Sequence, residues 1–417
     1  MNYFHYQDNE LYCEQVPVQK IVKQVGTPAY IYSHETLQRH FQAFESALSP
    51  IKHLLCYAVK TNSNIAILNL LAKWGAGMDI VSGGELYRAL QAGTPPNKIV
   101  YAGVGKTADE IALALQSGIL MFNVESRAEL NLIDKIAGDL GRKAPVALRI
   151  NPDVDPLTHP YISTGLKKNK FGISFKQALD EYLAAALLLH LEIIGIHKHI
   201  GSQITTVGPY MESVNKIVEL VQRLRQNGID IRYLNLGGGL GITYNEEKPP
   251  SPQQLAETLI PLLSPLSNCT VIMEPGRSIA GNSGILVTKV LYCKQGEEKN
   301  FTIVDAGMND LVRPSLYNAY HHIQPLQIKE RGEWLTDVVG PICESGDFLA
   351  KDRKLAKLEA GELLAVMSAG SYGFSMSSNY NSRPRAVEVL VKGDKFQVIR
   401  RRESYNDLIM GEMILNL

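Results

Sequence analysis

Between residues 54 and 275 the chain repeats one alternation of hydrophobic and polar positions: a short apolar run, then a longer stretch with apolar residues three and four apart. The short runs are Leu54–Val59, Met78–Val81, Ile99–Ala102, Leu120–Val124, Val146–Ile150, Ile193–Ile200, Tyr233–Leu236 and Val271–Glu274. They predict strands. The stretches Asn64–Trp74, Gly84–Gln91, Ala108–Gln116, Arg127–Leu140, Phe175–Leu189, Tyr210–Gln226 and Pro252–Leu263 predict helices. Gly75, Gly93, Gly118, Gly141 and Asn227 follow several of them as stop signals. Strands that alternate with helices pair in parallel through right-handed crossovers. Eight such units predict an α/β fold, a closed (β/α)₈ TIM-like barrel. The alternative is an open doubly wound sheet, whose glycine-rich turn follows the first strand. Here the glycine-rich turn follows the seventh.

After about residue 280 the helical spacing fades. Short alternating runs take over at Gly284–Leu291, Phe301–Val304, Leu363–Met367, Ala386–Val391 and Lys395–Arg400. Turns such as Gly296-Glu297, Gly361-Glu362 and Lys392-Gly393-Asp394 separate them, which predicts a second, β-rich domain. The expected division is a barrel over 31–278 and a β-rich domain from 1–30 and 279–417, the first thirty residues adding a strand to it.

Composition narrows the classes. Lysine plus arginine equals aspartate plus glutamate at 42 each, so the net charge is zero. That balance argues against nucleic acid, which is bound through a positive field. Met1 to Glu14 lacks the basic start and apolar core of a signal peptide. No apolar run reaches membrane-spanning length, because the greasiest stretch, Leu183 to Ile196, contains His190 and Glu192. Cys13, Cys56, Cys269, Cys293 and Cys343 are odd in number and never spaced as Cys-x-x-Cys, as expected of reduced thiols in a cytoplasmic protein.

Candidate chemistry sits at the strand ends. The first strand delivers one lysine, Lys60, at its C-terminal end. Such a lysine either pairs with a carboxylate or, desolvated, holds an aldehyde cofactor as a Schiff base. The seventh strand runs into Gly237-Gly238-Gly239-Leu240-Gly241 and the eighth into Glu274-Pro275-Gly276-Arg277. Glycine turns after strands seven and eight of a barrel are where phosphate is bound, although tight strand-to-helix turns need glycine for themselves. Glu274 at a strand end needs a proton or a cation: a pyridinium nitrogen, or an arginine such as Arg277. His197 and His199 share one face of the sixth strand, where two histidines can ligate metal or one can pack on an aromatic cofactor. No neighbouring carboxylate or thiol completes a metal set in sequence, so no metal is expected. In the second domain, Arg313, Tyr317, Glu344 and Tyr372 suit the carboxylate and ammonium ends of an amino acid. Cys343 suits a general acid.

Taken in order, these residues resemble the diaminopimelate decarboxylases, fold-type III enzymes that use pyridoxal 5′-phosphate (PLP). The resemblance runs nearly end to end, through Tyr57-Ala58-Val59-Lys60, Asp79-Ile80-Val81-Ser82-Gly83-Gly84-Glu85, His199-Ile200-Gly201-Ser202-Gln203, the triple glycine, Glu274-Pro275-Gly276-Arg277, Asp305-Ala306-Gly307-Met308, Arg313-Pro314, Tyr317, Cys343-Glu344-Ser345 and Tyr372. It implies that Lys60 carries PLP, His199 stacks on its ring and Glu274 meets the ring nitrogen. It implies that Gly239, Gly276 and Arg277 hold the phosphate with Tyr372, that Arg277, Arg313 and Tyr317 clamp the distal carboxylate of the substrate, and that Glu344 takes its distal amine while Cys343 returns a proton. It also implies a homodimer in which Cys343 and Glu344 reach the other subunit's site, and a mobile flap over Asp155 to Gly172, including His159-Pro160-Tyr161-Ile162-Ser163-Thr164-Gly165. The implied activity is decarboxylation of meso-diaminopimelate to L-lysine. The rivals are a sister decarboxylase of ornithine, arginine or carboxynorspermidine, racemase-like chemistry on the same barrel, and a non-catalytic regulator. Ser371, where alanine is common, is the departure noticed.

Overall fold

The computed structural model describes residues 2–156, 158, 164–165 and 170–415. The chain divides into two compact units: His40–Thr243 with Glu247–Ser278, and Met1–Arg39 with Tyr244–Glu246 and Ile279–Leu417.

The unit centred on His40–Thr243 is the barrel. Its strands are β1 (His53–Ala58), β2 (Gly77–Ile80), β3 (Ile99–Tyr101), β4 (Met121–Val124), β5 (Ala144–Asn151), β6 (Leu191–His197), β7 (Tyr233–Asn235) and β8 (Thr270–Met273). Each pairs in parallel with the next. β8 closes the ring on β1 through Ile272 opposite Leu54, which excludes the open sheet. Seven helices fill the intervals in which the sequence predicts them, from Ile65–Lys73 to Pro252–Leu262. Several begin on a side-chain cap: Ser82, Thr107, Ser126 and Ser251 each accept the amide three residues on. A cap of this kind stabilises a helix start by about 1 kcal/mol.

Inside the ring, Cys56, Val100, Met121, Ala147, Ile194 and Ile272 form one apolar cluster. Gly195 belongs to the same level, since a Cβ there would lie 3.2 Å from Ala147 Cβ and 3.3 Å from Met121 Sδ. Side chains two residues apart on a strand point the same way. Two residues toward the C-terminal ends from Met121, Ala147, Gly195 and Ile272 stand Asn123, Arg149, His197 and Glu274, all buried. An apolar layer therefore supports a polar layer at the barrel mouth. A register shift between Ile193 and Gly195 sets the phase that turns His197 inward.

The other unit is β-rich. Its sheet runs Phe348–Ala356, Glu333–Val339, Asn300–Val304, Gly284–Gln295, Ala29–Ser33, Val387–Lys392, Lys395–Arg400. Residues 31–39 belong to this unit rather than to the barrel because Ala29–Ser33 pairs with Gly284–Gln295 on one side and Val387–Lys392 on the other. Three strands near the N-terminus form a small sheet of their own, Phe4–Gln7, Glu10–Cys13 and Val16–Pro17. The strands Glu333–Val339 and Phe348–Ala356 escape the sequence pattern. Lys351 to Lys354 are charged in succession, and the pairing shifts register there with Asp352 at φ 51°, so no period of two survives.

No helix among the described residues is long and apolar enough to cross a membrane. Of the flap expected over 155–172, residues 157, 159–163 and 166–169 lie outside the described residues, His159-Pro160-Tyr161-Ile162-Ser163 among them. Beside them Val154 N–H donates to Gly165 and Thr164 N–H to Ile200.

Candidate active site

β1 ends at Ala58, and one 3₁₀ turn, Val59–Thr61, places Lys60 just past it. The Thr61 hydroxyl pins that turn by donating to the Ala58 carbonyl at 2.7 Å. Lys60 Nζ stands 2.5 Å from Asp79 Oδ2; the Lys60 side chain is 36% exposed and that of Asp79 fully buried. The ion-pair alternative for Lys60 is thus present, and the amine remains reachable from outside. Asp79, at the end of β2, was not singled out from sequence as a site residue. An acid between Met78 and Ile80 in an apolar run was the available signal.

Asp79 and Glu274 share the mouth. Burial pushes the Asp79 carboxyl up, the Glu274 charge pushes it further, and Lys60 pulls it back, leaving it at about 7. Burial also pushes Glu274 up, but the His197 imidazole beside it and the Lys60 ammonium outweigh it and hold this carboxyl below the usual range. Of two acids in one site, Glu274 keeps the negative charge and Asp79 exchanges a proton near neutrality. Glu274 Oε1 accepts from Asn235 Nδ2 at 2.7 Å and lies 3.4 Å from Asn123 Nδ2; His197 Nε2 is 3.5 Å from Oε2. These neighbours line the Glu274 carboxylate. Arg277 turns its Nε and Nη2 to the Ser202 hydroxyl at 3.3 and 3.1 Å.

The two histidines separate in role. Among the described residues no cluster of three or more His, Cys, Asp or Glu side chains is placed to hold a metal. Burial lowers both imidazoles, His199 the more strongly, with Arg149 adding to the effect. His199 Nδ1 accepts Gly238 N–H at 3.2 Å, which leaves Nε2 as the protonated nitrogen of a neutral ring. A neutral planar ring at the mouth suits packing against an aromatic face.

The glycine turns are first of all close contacts within the protein. A Cβ on Gly238 would lie 2.1 Å from the Glu274 carbonyl, one on Gly239 2.4 Å from the Gly201 carbonyl, and one on Gly276 2.5 Å from Thr61 Cγ2. Gly237 and Gly239 also take φ of 66° and 107°. Gln203 joins the neighbouring loops, donating to the Ile242 carbonyl at 2.6 Å and accepting its amide at 3.1 Å. The ends of β6, β7 and β8 are so knotted together that Lys60, His199, Glu274, Gly239, Gly276 and Arg277 all border one barrel mouth. The donor set fits a ring cofactor with an aldehyde, a basic ring nitrogen and a phosphate: a reachable amine, an ionised buried carboxylate, a neutral ring and backbone turns beside a guanidinium.

The β-rich unit holds the other predicted residues. Arg313 and Tyr317 bound the one-turn helix Arg313–Tyr317, four residues apart and so on one face. His321 Nδ1 meets the Met367 carbonyl at 2.8 Å, so its Nε2 accepts from Arg313 Nη1, also at 2.8 Å. The Tyr244 ring supports the guanidinium at 4.6 Å. Cys343 and Glu344 are exposed; Cys343 N–H donates to Asn381 Oδ1 at 2.8 Å and Tyr380 donates to Glu344 Oε2 at 2.9 Å. Tyr372 takes φ 55° after Ser371, whose buried hydroxyl has no hydrogen-bond partner among the described residues.

Residues 34–281 match the family described as pyridoxal-dependent decarboxylase, pyridoxal binding domain. Diaminopimelate decarboxylase of Aquifex aeolicus is 55% identical over 98% of this chain and 96% of its own. That of Vibrio cholerae is 51% identical over the whole of both chains. The structure of diaminopimelate decarboxylase from Helicobacter pylori complexed with L-lysine superposes with TM-score 0.91 at 46% identity, over 94% of this chain and 98% of that one.

Proposed function

The chain belongs to the diaminopimelate decarboxylase family of pyridoxal-dependent decarboxylases, and from that premise we propose that it removes one carboxylate of meso-2,6-diaminopimelate as CO₂ and releases L-lysine, the last step of lysine biosynthesis. The observation that carries this reading is the likeness to named diaminopimelate decarboxylases over the full chain, joined to a barrel mouth where Lys60, Asp79 and Glu274 stand together. The chain is a PLP-dependent carboxy-lyase. When bound, PLP supplies the electron sink into which the bond to the departing carboxylate empties.

Lys60 Nζ binds the cofactor aldehyde. Asp79 Oδ2, 2.5 Å away, takes the proton that this amine sheds to act as a nucleophile. Glu274, held ionised, would accept the ring N–H of bound PLP and so favour a cationic ring. His199 would pack on the ring face. Backbone donors of Gly239, Gly276 and Arg277, with the Tyr372 hydroxyl, hold the phosphate. Arg277, Arg313 and Tyr317 hold the distal carboxylate of the substrate and Glu344 its distal ammonium. Cys343 Sγ–H returns one proton to the carbon that lost CO₂, which balances the reaction. The barrel carries the cofactor.

Exposure of Cys343 and Glu344 supports a homodimer in which both serve the partner's site. The enzyme is assigned to the cytoplasm, with a small amino acid rather than nucleic acid or membrane as its partner. Purified protein supplied with PLP and meso-diaminopimelate is expected to yield CO₂ and L-lysine in equal amounts, and Lys60→Ala to yield neither. Release of CO₂ from ornithine or arginine alone, or from no substrate, would overturn the proposal.

A further inference from the structure

Asn235, the last residue of β7, is fully buried at the barrel mouth and has no part in the proposed reaction. Both ends of its amide are engaged. Oδ1 accepts from Gly237 N–H at 2.9 Å, at the start of the triple-glycine turn. Nδ2 donates to Glu274 Oε1 at 2.7 Å. Asn123 approaches the same oxygen at only 3.4 Å. The other oxygen, Oε2, has His197 Nε2 at 3.5 Å, and that nitrogen makes no hydrogen bond among the described residues.

A bland role accounts for part of this. Asparagine two residues before an amide it accepts is an ordinary Asx turn. That explains Oδ1 and the turn, but it places no demand on Nδ2. The glutamate is the second observation. Its terminal torsion is broad and nearly two-fold, so a buried carboxylate has no preferred oxygen until a donor chooses one. Asn235 is the only amide at short hydrogen-bond distance from it among the described residues. The backbone reinforces the choice, because Glu274 N–H donates to the Gly237 carbonyl at 2.8 Å. One side chain therefore links the carboxylate to the first residue of the glycine turn.

We infer that Asn235 is a positioning residue that pins Glu274 Oε1, presents Oε2 to the cofactor's ring N–H, and holds that acceptor in register with the turn that takes the phosphate. An uncharged donor is the suitable type. A cation at this position would neutralise the carboxylate, and an anion would drive a proton onto it. The inference rests on the reading that Glu274 meets the ring nitrogen.

The test compares two ligands of the apoprotein: PLP, and its carbocyclic analogue with C–H in place of the ring nitrogen. Asn235→Asp keeps the acceptor for Gly237 N–H and loses the donor to Glu274. Asn235→Ser, which adds no charge, replaces the amide donor by a shorter hydroxyl while still offering an acceptor to Gly237 N–H, and serves if the first variant does not fold. Wild type is expected to bind PLP at least about tenfold more tightly than the analogue, the size of a charge-assisted hydrogen bond. Both variants should lose most of that preference while binding the analogue within about threefold of wild type. A preference unchanged in the variants, or an equal loss of both ligands, overturns the positioning role and leaves Glu274 as the ring partner. No preference in wild type overturns the Glu274 reading and this inference with it.

Discussion

Lys198 lies between His197 and His199 at the end of β6, wholly buried, its Nζ without a hydrogen-bond partner among the described residues and 5.1 Å from the centre of the Tyr210 ring. Lysine is almost never enclosed in this way unless paired. Burial pulls its ammonium down to about 7, against a weaker opposing pull from Glu274. The folded value lies below the unfolded one, so the unfolded chain binds this proton more readily and stability rises with pH between the two. The penalty is complete below the folded value and fades toward the ordinary lysine range. Lys198→Met is therefore expected to stabilise the protein by on the order of a few kcal/mol at about pH 6 and by much less near pH 10. Urea midpoints of variant and wild type across that range measure it; a gain that grows with pH would sink the argument. The sequence marks Lys60 because it ends an apolar run. Nothing local marks Lys198, because alternation on a strand does not say which of two faces a helix will cover.

At the scale of elements, the short turns after the strands set the site. The turn after β8 and the turn carrying Lys60 touch through Gly276, where a Cβ would meet Thr61 Cγ2 at 2.5 Å and Ala58 Cβ at 2.9 Å. Gly276→Ala is expected to push these turns apart at a cost of about 1–3 kcal/mol, as overpacking does. A weakened hold on PLP should follow, read as cofactor lost on gel filtration. Retention equal to wild type with an unchanged melting temperature would show that the turns do not bear on each other. The barrel strands and helices were legible because each is a local pattern: apolar runs, amphipathic spacing, and glycine or asparagine at the stops. Glu333–Val339 and Phe348–Ala356 were not, because their pairing carries register shifts and a charged run hides the alternation. The glycines of the turns were legible as a motif, and the structure adds the reason for them, a backbone approach too close for any Cβ.

At the scale of the whole molecule, the proposed sharing of sites has a direct consequence. Lys60→Ala and Cys343→Ala subunits are each expected to be inactive alone. Mixed and allowed to exchange, they should recover about a quarter of wild-type activity, since random pairing gives about half mixed dimers, each with one intact site. No recovery after demonstrated exchange would mean that each chain supplies its own cysteine. The proposed sharing rests on the exposure of Cys343 and Glu344.

The amino-acid order alone determined the alternating strands and helices of the barrel and its β-rich companion, and it singled out Lys60 as the candidate amine, because periodicity and ordered motifs are properties of neighbouring residues. Only the tertiary structure decided which polar groups face one another at the barrel mouth. Asn123 and Glu274 lie 151 positions apart and meet at 3.4 Å. Asp79 against Lys60 and Asn235 against Glu274 join neighbouring strands whose residues lie 19 and 39 positions apart in the sequence. Closure of β8 on β1 creates that meeting place, and a contact between distant segments has no local period by which to announce itself.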